Sequence, residues 1–346
     1  MKPEEWNTLL KVIEGKQVSP LPVAFIIDSP WLPGWCGHTI LDYYGDENLW
    51  MECNLEAIQT FPDITFLPGF WSEFGMCTEP SAFGSKTIWY EQELPFAEKV
   101  VEGPEGMASL EKPDVEHDGL LPFMLGRLKR RREQIEEEGH VLKFAVARGP
   151  FNIASFLRGS TEFLMALKMH PDEARAMLDV ITDFLVDWLR LQREAIPTIE
   201  GIFLLDDVVG FVGEEDFTEF AKPCLRRAFN AFDTEIGFFH NDSKGTVCAP
   251  HLSDIGVNLF NFSHEHSLGQ MRELAGEEVT LLGNLPPRDV LGSGGPEDVQ
   301  EGVSKMCEDM PDLTHLIPSC GGGIPPGVPT ENIRAFLEAS REITHD

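Results

Sequence analysis

Along the chain, short apolar runs alternate with stretches in which apolar residues recur every three or four positions. Eight runs stand out: LPVAFIID (21–28), DITFLPGF (63–70), HVLKFAVARGP (140–150), GIFLLDD (201–207), EIGFFHND (235–242), GVNLFNFSHEH (256–266), EVTLLGNLPP (278–287) and LTHLIPSCGGG (313–323). Each is close to continuous in apolar character, the pattern of a parallel strand buried on both faces. Between them the period lengthens to that of a helix. In MHPDEARAMLDVITDFLVDWLRLQREA, Ala174, Met177, Leu178, Ile181, Leu185 and Trp188 fall on one stripe, and Pro171, Asp172 and Glu173 suit a first helical turn. VPTENIRAFLEASREI repeats the device, with Thr330 as a cap and Ile333, Phe336 and Leu337 facing inward. PFMLGRLKRRREQIEEEGH is also helical, and its Arg/Lys cluster followed by a Glu run is expected to form a solvated face with i,i+4 pairs.

Eight strand–helix units predict an α/β protein built as one closed (β/α)8 TIM barrel spanning residues 1–346. An open doubly wound sheet is the alternative. Residues 71–119 break the rhythm: they are rich in Pro and Gly, with hairpin-like alternation from Thr87 to Glu93. They are expected to be an insertion between the second and third strands, serving as a lid or as an oligomer contact such as that of a homodimer.

Composition narrows the classes of function. The chain has 346 residues, 42% of them hydrophobic, enough for a large core. No apolar run reaches the roughly 20 residues that span a bilayer. The first residues, MKPEEWNTLLKVIEG, lack a signal-peptide core, so a soluble cytoplasmic protein with no membrane partner is expected. With 58 acidic residues against 27 basic ones, the formal charge is −31. Nucleic acids and anionic membranes are poor partners for such a surface, and polyanionic substrates need a local cationic pocket. The seven cysteines show no C-x-x-C spacing and are odd in number, which argues against a disulfide framework.

Barrel enzymes keep their chemistry at the C-terminal ends of the strands. Here those positions carry Asp28, Arg148, Asp206, Asp207, His240, Asp242, Glu265, Asn284 and Cys320. His240 and Asp242 stand two apart at one strand end, so they point the same way. Cys320 closes the eighth strand. One imidazole, one carboxylate and one thiolate make a three-ligand zinc site with an open fourth position. His264 and His266 in SHEH are competing ligands, as is Cys248. From spacing alone, a polar turn at His240 with a buried thiol at Cys320 explains the same residues. The glycine-rich CGGGIPPG matches no phosphate-binding motif.

Three stretches, GPFNIASFLRGSTEFLMALKMHPDEARAMLD, GNLPPRDVLGSGGPEDV and PSCGGGIPPGVPTENIRAFLEASRE, resemble the uroporphyrinogen decarboxylase superfamily. The resemblance runs from about Pro22 to the C-terminus and is most specific in the last third. It implies a single (β/α)8 barrel and one of two activities: the decarboxylase itself, or a cobalamin-linked methyltransferase of anaerobic methyl metabolism. The decarboxylase acts on an octacarboxylate and places an arginine-rich motif at its first strand end. Here that region reads FIIDSPWLPGWCGH, and the first arginine of the chain is Arg127. The methyltransferase branch carries zinc on H-x-C plus a distant Cys. This chain offers His240, Asp242 in place of the first Cys, and Cys320. A carboxylate for a thiolate leaves zinc harder and better suited to an oxygen donor.

The resemblance therefore implies zinc on His240, Asp242 and Cys320, and a methyl group moved from a small methyl ether or similar donor to cobalamin on a separate corrinoid protein. Glu265 would be a fourth ligand or a nearby acid. Asp206 or Asp207 would orient His240 through its other nitrogen. Asp28 joins these acids at the first strand end. Trp31 and Trp35, with Phe70 and Trp71, would wall an apolar pocket, and Asn284 would face the cofactor. A metal-free divergent decarboxylase and a non-catalytic tetrapyrrole or corrinoid binder are the alternatives.

Overall fold

The computed structural model describes residues 1–27, 30–310 and 312–343. All eight apolar runs form parallel strands: β1 (Val23–Ile26), β2 (Ile64–Leu67), β3 (Phe144–Arg148), β4 (Gly201–Leu205), β5 (Ile236–Asn241), β6 (Leu259–Phe262), β7 (Thr280–Leu285) and β8 (Leu316–Cys320). Strands β3 to β8 pair in sequence order, and β1 pairs with β2. A parallel bridge between Ile26 and Gly323, with the Ile324 N–H donating to Ile26 O at 3.0 Å, carries the ring from β8 back to β1.

The pleat sorts the side chains. Ala24, Ile26, Leu67, Phe144, Val146, Phe203, Leu205, Ile236, Phe238, Leu259, Leu282 and Ile317 form the core inside the barrel. Residues of the opposite parity pack outward against the helices. The N-terminal helix α1 (Pro3–Ile13) adds Trp6, Leu9 and Val12 to the inner cluster, with Trp6 edge-on to Phe144 at 5.4 Å. It closes the end of the barrel opposite the strand C-termini, a role its amphipathic sequence did not reveal.

Between β2 and β3 no backbone ladder forms among the described residues. Side chains stitch this seam instead. On helix α5 (Pro171–Ala195), Gln192 accepts from the Val146 N–H and donates to Val146 O, both at 3.0 Å. Glu79 accepts from the Arg148 N–H at 3.2 Å.

The helical stripes come out as expected. Ala174, Met177, Leu178, Ile181, Leu185 and Trp188 on α5 are all buried. In α9 (Thr330–Glu342), Ile333 and Phe336 are buried, but Pro329 takes the cap position and Thr330 accepts a hydrogen bond from Trp35 Nε1. In α3 (Leu121–Glu137), Arg132 pairs with Glu136 as expected of a solvated face. Arg127 instead lies buried over the rings of Trp50 and Phe74. Between β2 and α3, residues 71–119 carry the short helices Thr78–Ala82 and Gly103–Ala108 and an antiparallel pair, Thr87–Ile88 with Phe96–Ala97. Tyr90 and Phe96 are exposed on that hairpin, while Trp89 lies edge-on to Tyr44 and Phe74, 6.1 Å from each.

Candidate metal centre at the barrel mouth

The inward parity that buries Phe238 on β5 continues to His240 and Asp242, just as Leu205 on β4 leads to Asp207 and Leu259 on β6 leads to Asn261. The apolar interior thus ends in a polar layer at the strand C-termini. There, ligand atoms of Asp207, His240 and Asp242 lie within 4.8 Å of one another. His240 Nε2 stands 3.6 Å from Asp207 Oδ1 and 3.9 Å from Asp242 Oδ2. The Asp242 backbone N–H donates to Asp207 Oδ1 at 3.1 Å, which fixes one carboxylate against the other strand end. Withdrawal from water raises the Asp207 pKa and the Asp242 charge adds to that, while the attraction of His240 opposes both.

His240 is nine-tenths buried, and its Nδ1 meets Asn261 Oδ1 at 2.8 Å. Asn261 is fully buried and donates through Nδ2 to Leu282 O at 2.7 Å and to Cys320 O at 3.1 Å. On the other side, Gly322 (φ +122°) closes on Asp242, where a Cβ would come within 3.0 Å of Oδ2.

The donor set fits a divalent cation. Zinc bonded at about 2.0–2.2 Å to nitrogen and carboxylate oxygen places its ligand atoms roughly 3.3–3.6 Å apart when tetrahedral. The separations of 3.6 and 3.9 Å are close to that. Two carboxylates and a neutral imidazole bring two negative charges, which a divalent ion balances.

Of the residues anticipated from sequence, His240 and Asp242 are brought together and Asp207 joins them. Cys320 is not part of this group: it packs in the layer between strands and helices, and its Sγ donates to Gly322 O at 3.3 Å. Asp206 points away from the mouth. Its carboxylate accepts the Phe151 N–H at 2.8 Å and the Asn152 N–H at 2.9 Å, capping helix α4 (Pro150–Arg158), and burial drives its pKa well up. A Cβ on Gly149 would strike Asp206 Oδ2 at 2.3 Å, so only glycine lets the helix come this close. The partner of His240's other nitrogen, expected from sequence to be Asp206 or Asp207, is Asn261, whose Oδ1 meets Nδ1.

Glu265 is exposed and paired with Lys244 at 2.8 Å. It lines a neighbouring cavity of about 800 Å³ together with His264, His266, Asn284, Leu285 and Met306. Asn284 donates to the His266 carbonyl there. Trp31 and Trp35 stack on each other at 5.1 Å, and their N–H groups are bound to Val328 O and Thr330 Oγ1, so the pair anchors the chain's last segment. Asp28 lies outside the described residues.

Two features escaped the sequence reading. Asn261 sits inside an apolar run, and the signal available was a polar residue at an interior position of a buried strand. The second is a buried charge cluster at the β2–β3 seam. Arg148 lies over Trp71 at 5.2 Å and donates to Glu73 at 2.7 Å, beside Glu79, whose burial pushes its pKa up to about 7. That cluster joins residues 69 or more apart in sequence, so no local pattern marks it.

Residues 5–343 match the model of the uroporphyrinogen decarboxylase (URO-D) family. A methylated-thiol–coenzyme M methyltransferase of Methanosarcina mazei is 24% identical over 273 residues, covering 78% of this chain and 71% of that protein. A uroporphyrinogen decarboxylase of Schizosaccharomyces pombe is 28% identical over 276 residues, 75% of each chain. Among solved structures, a methyltransferase from Methanosarcina mazei superimposes with a TM-score of 0.82 at 19% identity over 98% of both chains. A B12-independent methionine synthase from a Shewanella species gives a TM-score of 0.63 at 13% identity, over 93% of this chain and 98% of that one.

Proposed function

Because the chain belongs to the uroporphyrinogen decarboxylase family, we propose that it is a zinc-dependent methyltransferase of that family, moving a methyl group from a small O-methyl donor to the cobalamin of a separate corrinoid protein. The observation that carries this reading is the Asp207, His240 and Asp242 group facing inward at the barrel mouth. The similarity to a methyltransferase over 78% of the chain supports it.

Asp207, His240 and Asp242 would hold the metal. Zinc in such a site supplies a Lewis acid that draws electron density from the donor's heteroatom and weakens its bond to the methyl carbon. Two carboxylates and one imidazole are harder ligands than thiolates, which favours an oxygen donor over a sulfur one. Gly322, with no side chain, lets the backbone after β8 pass close to Asp242 Oδ2 without displacing it.

Decarboxylation of uroporphyrinogen is the second reading, favoured by the decarboxylase relatives. The mouth is a poor host for an octacarboxylate. Asp207, Asp242, Glu73 and Glu79 gather around it, and Arg148 at the end of β3 is paired with Glu73.

Elemental analysis of protein purified without chelator tests the metal, with about one zinc per chain expected for three protein ligands. Asp207→Ala and Asp242→Ala should each lose most of it. Methylcobalamin formation from cob(I)alamin and a panel of methoxylated aromatics tests the reaction. Zinc-free wild-type protein, or full zinc in both variants, would remove the metal from this reading.

A further inference from the structure

We infer that Asn261 is the positioning residue of the mouth: it holds His240 in the tautomer that carries its proton on Nδ1, so that Nε2 presents a lone pair to the Asp207–Asp242 pair. The inference deepens the metal reading and rests on it for what the lone pair receives, but the tautomer itself is a property of the protein alone.

The argument starts at the amide. Asn261 Nδ2 lies 2.7 Å from Leu282 O and 3.1 Å from Cys320 O. Carbonyl oxygens only accept, so the NH2 group must be on that side and Oδ1 must face His240. Oδ1 in turn only accepts, and it lies 2.8 Å from His240 Nδ1. The hydrogen of that contact therefore sits on Nδ1. In the neutral ring this leaves Nε2 bare, facing carboxylate oxygens at 3.6 and 3.9 Å.

Without Asn261 the preference would reverse. Two carboxylates beside Nε2 are acceptors, and they favour a proton on that nitrogen. Asn261 outweighs them through burial and cross-bracing. It is fully buried, and its three hydrogen bonds tie β5 to β7 and β8 in one rigid frame. A free amide would lose rotamer entropy on making the same contact; here that loss occurs on folding.

Nitrogen-15 NMR of histidine-labelled apo protein reads the tautomer directly, at a pH where the ring is neutral, with His240→Gln used to assign the signal. The expected spectrum shows His240 protonated at Nδ1 and unprotonated at Nε2. In Asn261→Leu, similar in size but with no acceptor, the proton should move to Nε2 and zinc affinity, measured by competition with a chromogenic chelator, should fall about 10- to 100-fold. Asn261→Asp loses both donors to the strand carbonyls and with them the cross-bracing, but its charged oxygen is a stronger acceptor at Nδ1 than the amide, so it should retain the wild-type tautomer at a cost in stability. An Nε2–H signal in the wild-type protein overturns the inference, and so does an Asn261→Leu variant with unchanged tautomer. If Asn261→Leu does not fold, the wild-type spectrum and the Asp variant still decide. Wild-type protein that shows the Nδ1–H tautomer but takes up no zinc would defeat the metal reading and leave the positioning role of Asn261 standing.

Discussion

Which third side chain joins His240 and Asp242 comes down to the pleat. His240 and Asp242 follow the interior residue Phe238 at two-residue steps, and Asp207 follows Leu205 in the same way. On β8 the interior residue is Ile317, so Ser319 shares its parity and Cys320 turns toward the helices. Cys320→Ala should accordingly leave zinc stoichiometry unchanged; loss of the metal in that variant would restore the thiol to the ligand set. Gly322→Ala makes a complementary test. The backbone there has φ +122° and a methyl group would press on Asp242 Oδ2, so weakened zinc binding is expected in a protein whose circular dichroism spectrum matches the wild type. Undiminished affinity would mean that Asp242 has room to move or does not bind.

At the scale of elements, the β2–β3 seam is a weak place in the ring. The Val146 peptide is satisfied by one amide side chain, Gln192, and the Arg148 N–H by one carboxylate, Glu79. Replacing Gln192 by Leu leaves a buried N–H and a buried C=O unpaired, at a cost of about 1–3 kcal/mol for each. A drop in stability below about 1 kcal/mol in urea denaturation would show that water or strand movement compensates. Glu79 adds a pH dependence. Burial raises its pKa from 4.5 to about 7, with the nearby Arg148 pulling it back and Glu73 adding to the rise. Between those values the native protein keeps a proton that the unfolded chain has lost, so stability falls as pH rises from about 4.5 to about 7 and the loss is complete above it. Over that window the contribution is about 3 kcal/mol. Glu79→Gln should flatten the melting temperature across the same window, and an unchanged slope would place the titration elsewhere.

For the whole molecule, the charge of −31 and the acidic mouth make one prediction about substrate. Incubation with the reduced octacarboxylate should give no chromatographically detectable loss of carboxylate at enzymic rates, which are on the order of 1 per second or more. Turnover at that level would mean that Arg148 abandons Glu73 for the substrate, and would favour the decarboxylase reading. No helix among the described residues is long and apolar enough to cross a membrane, which fits the short apolar runs of the sequence.

The sequence by itself determined the barrel. Eight buried strands, each with its helix, can cover their apolar faces in few ways, and local periodicity records that solution run by run. It also placed His240 and Asp242 together, because two residues on one strand end share a direction without help from the rest of the chain. What needed the tertiary structure were contacts between strands. Asp207 joins His240 across β4 and β5, Asn261 locks it from β6, and Cys320 turns away on β8. Those depend on register and on the parity of each strand relative to the barrel axis, and a continuously apolar strand shows no alternation from which parity could be read. The stitched seam is hidden for the same reason: Glu79 and Gln192 act on a strand 69 and 46 residues away, and only folding brings them there.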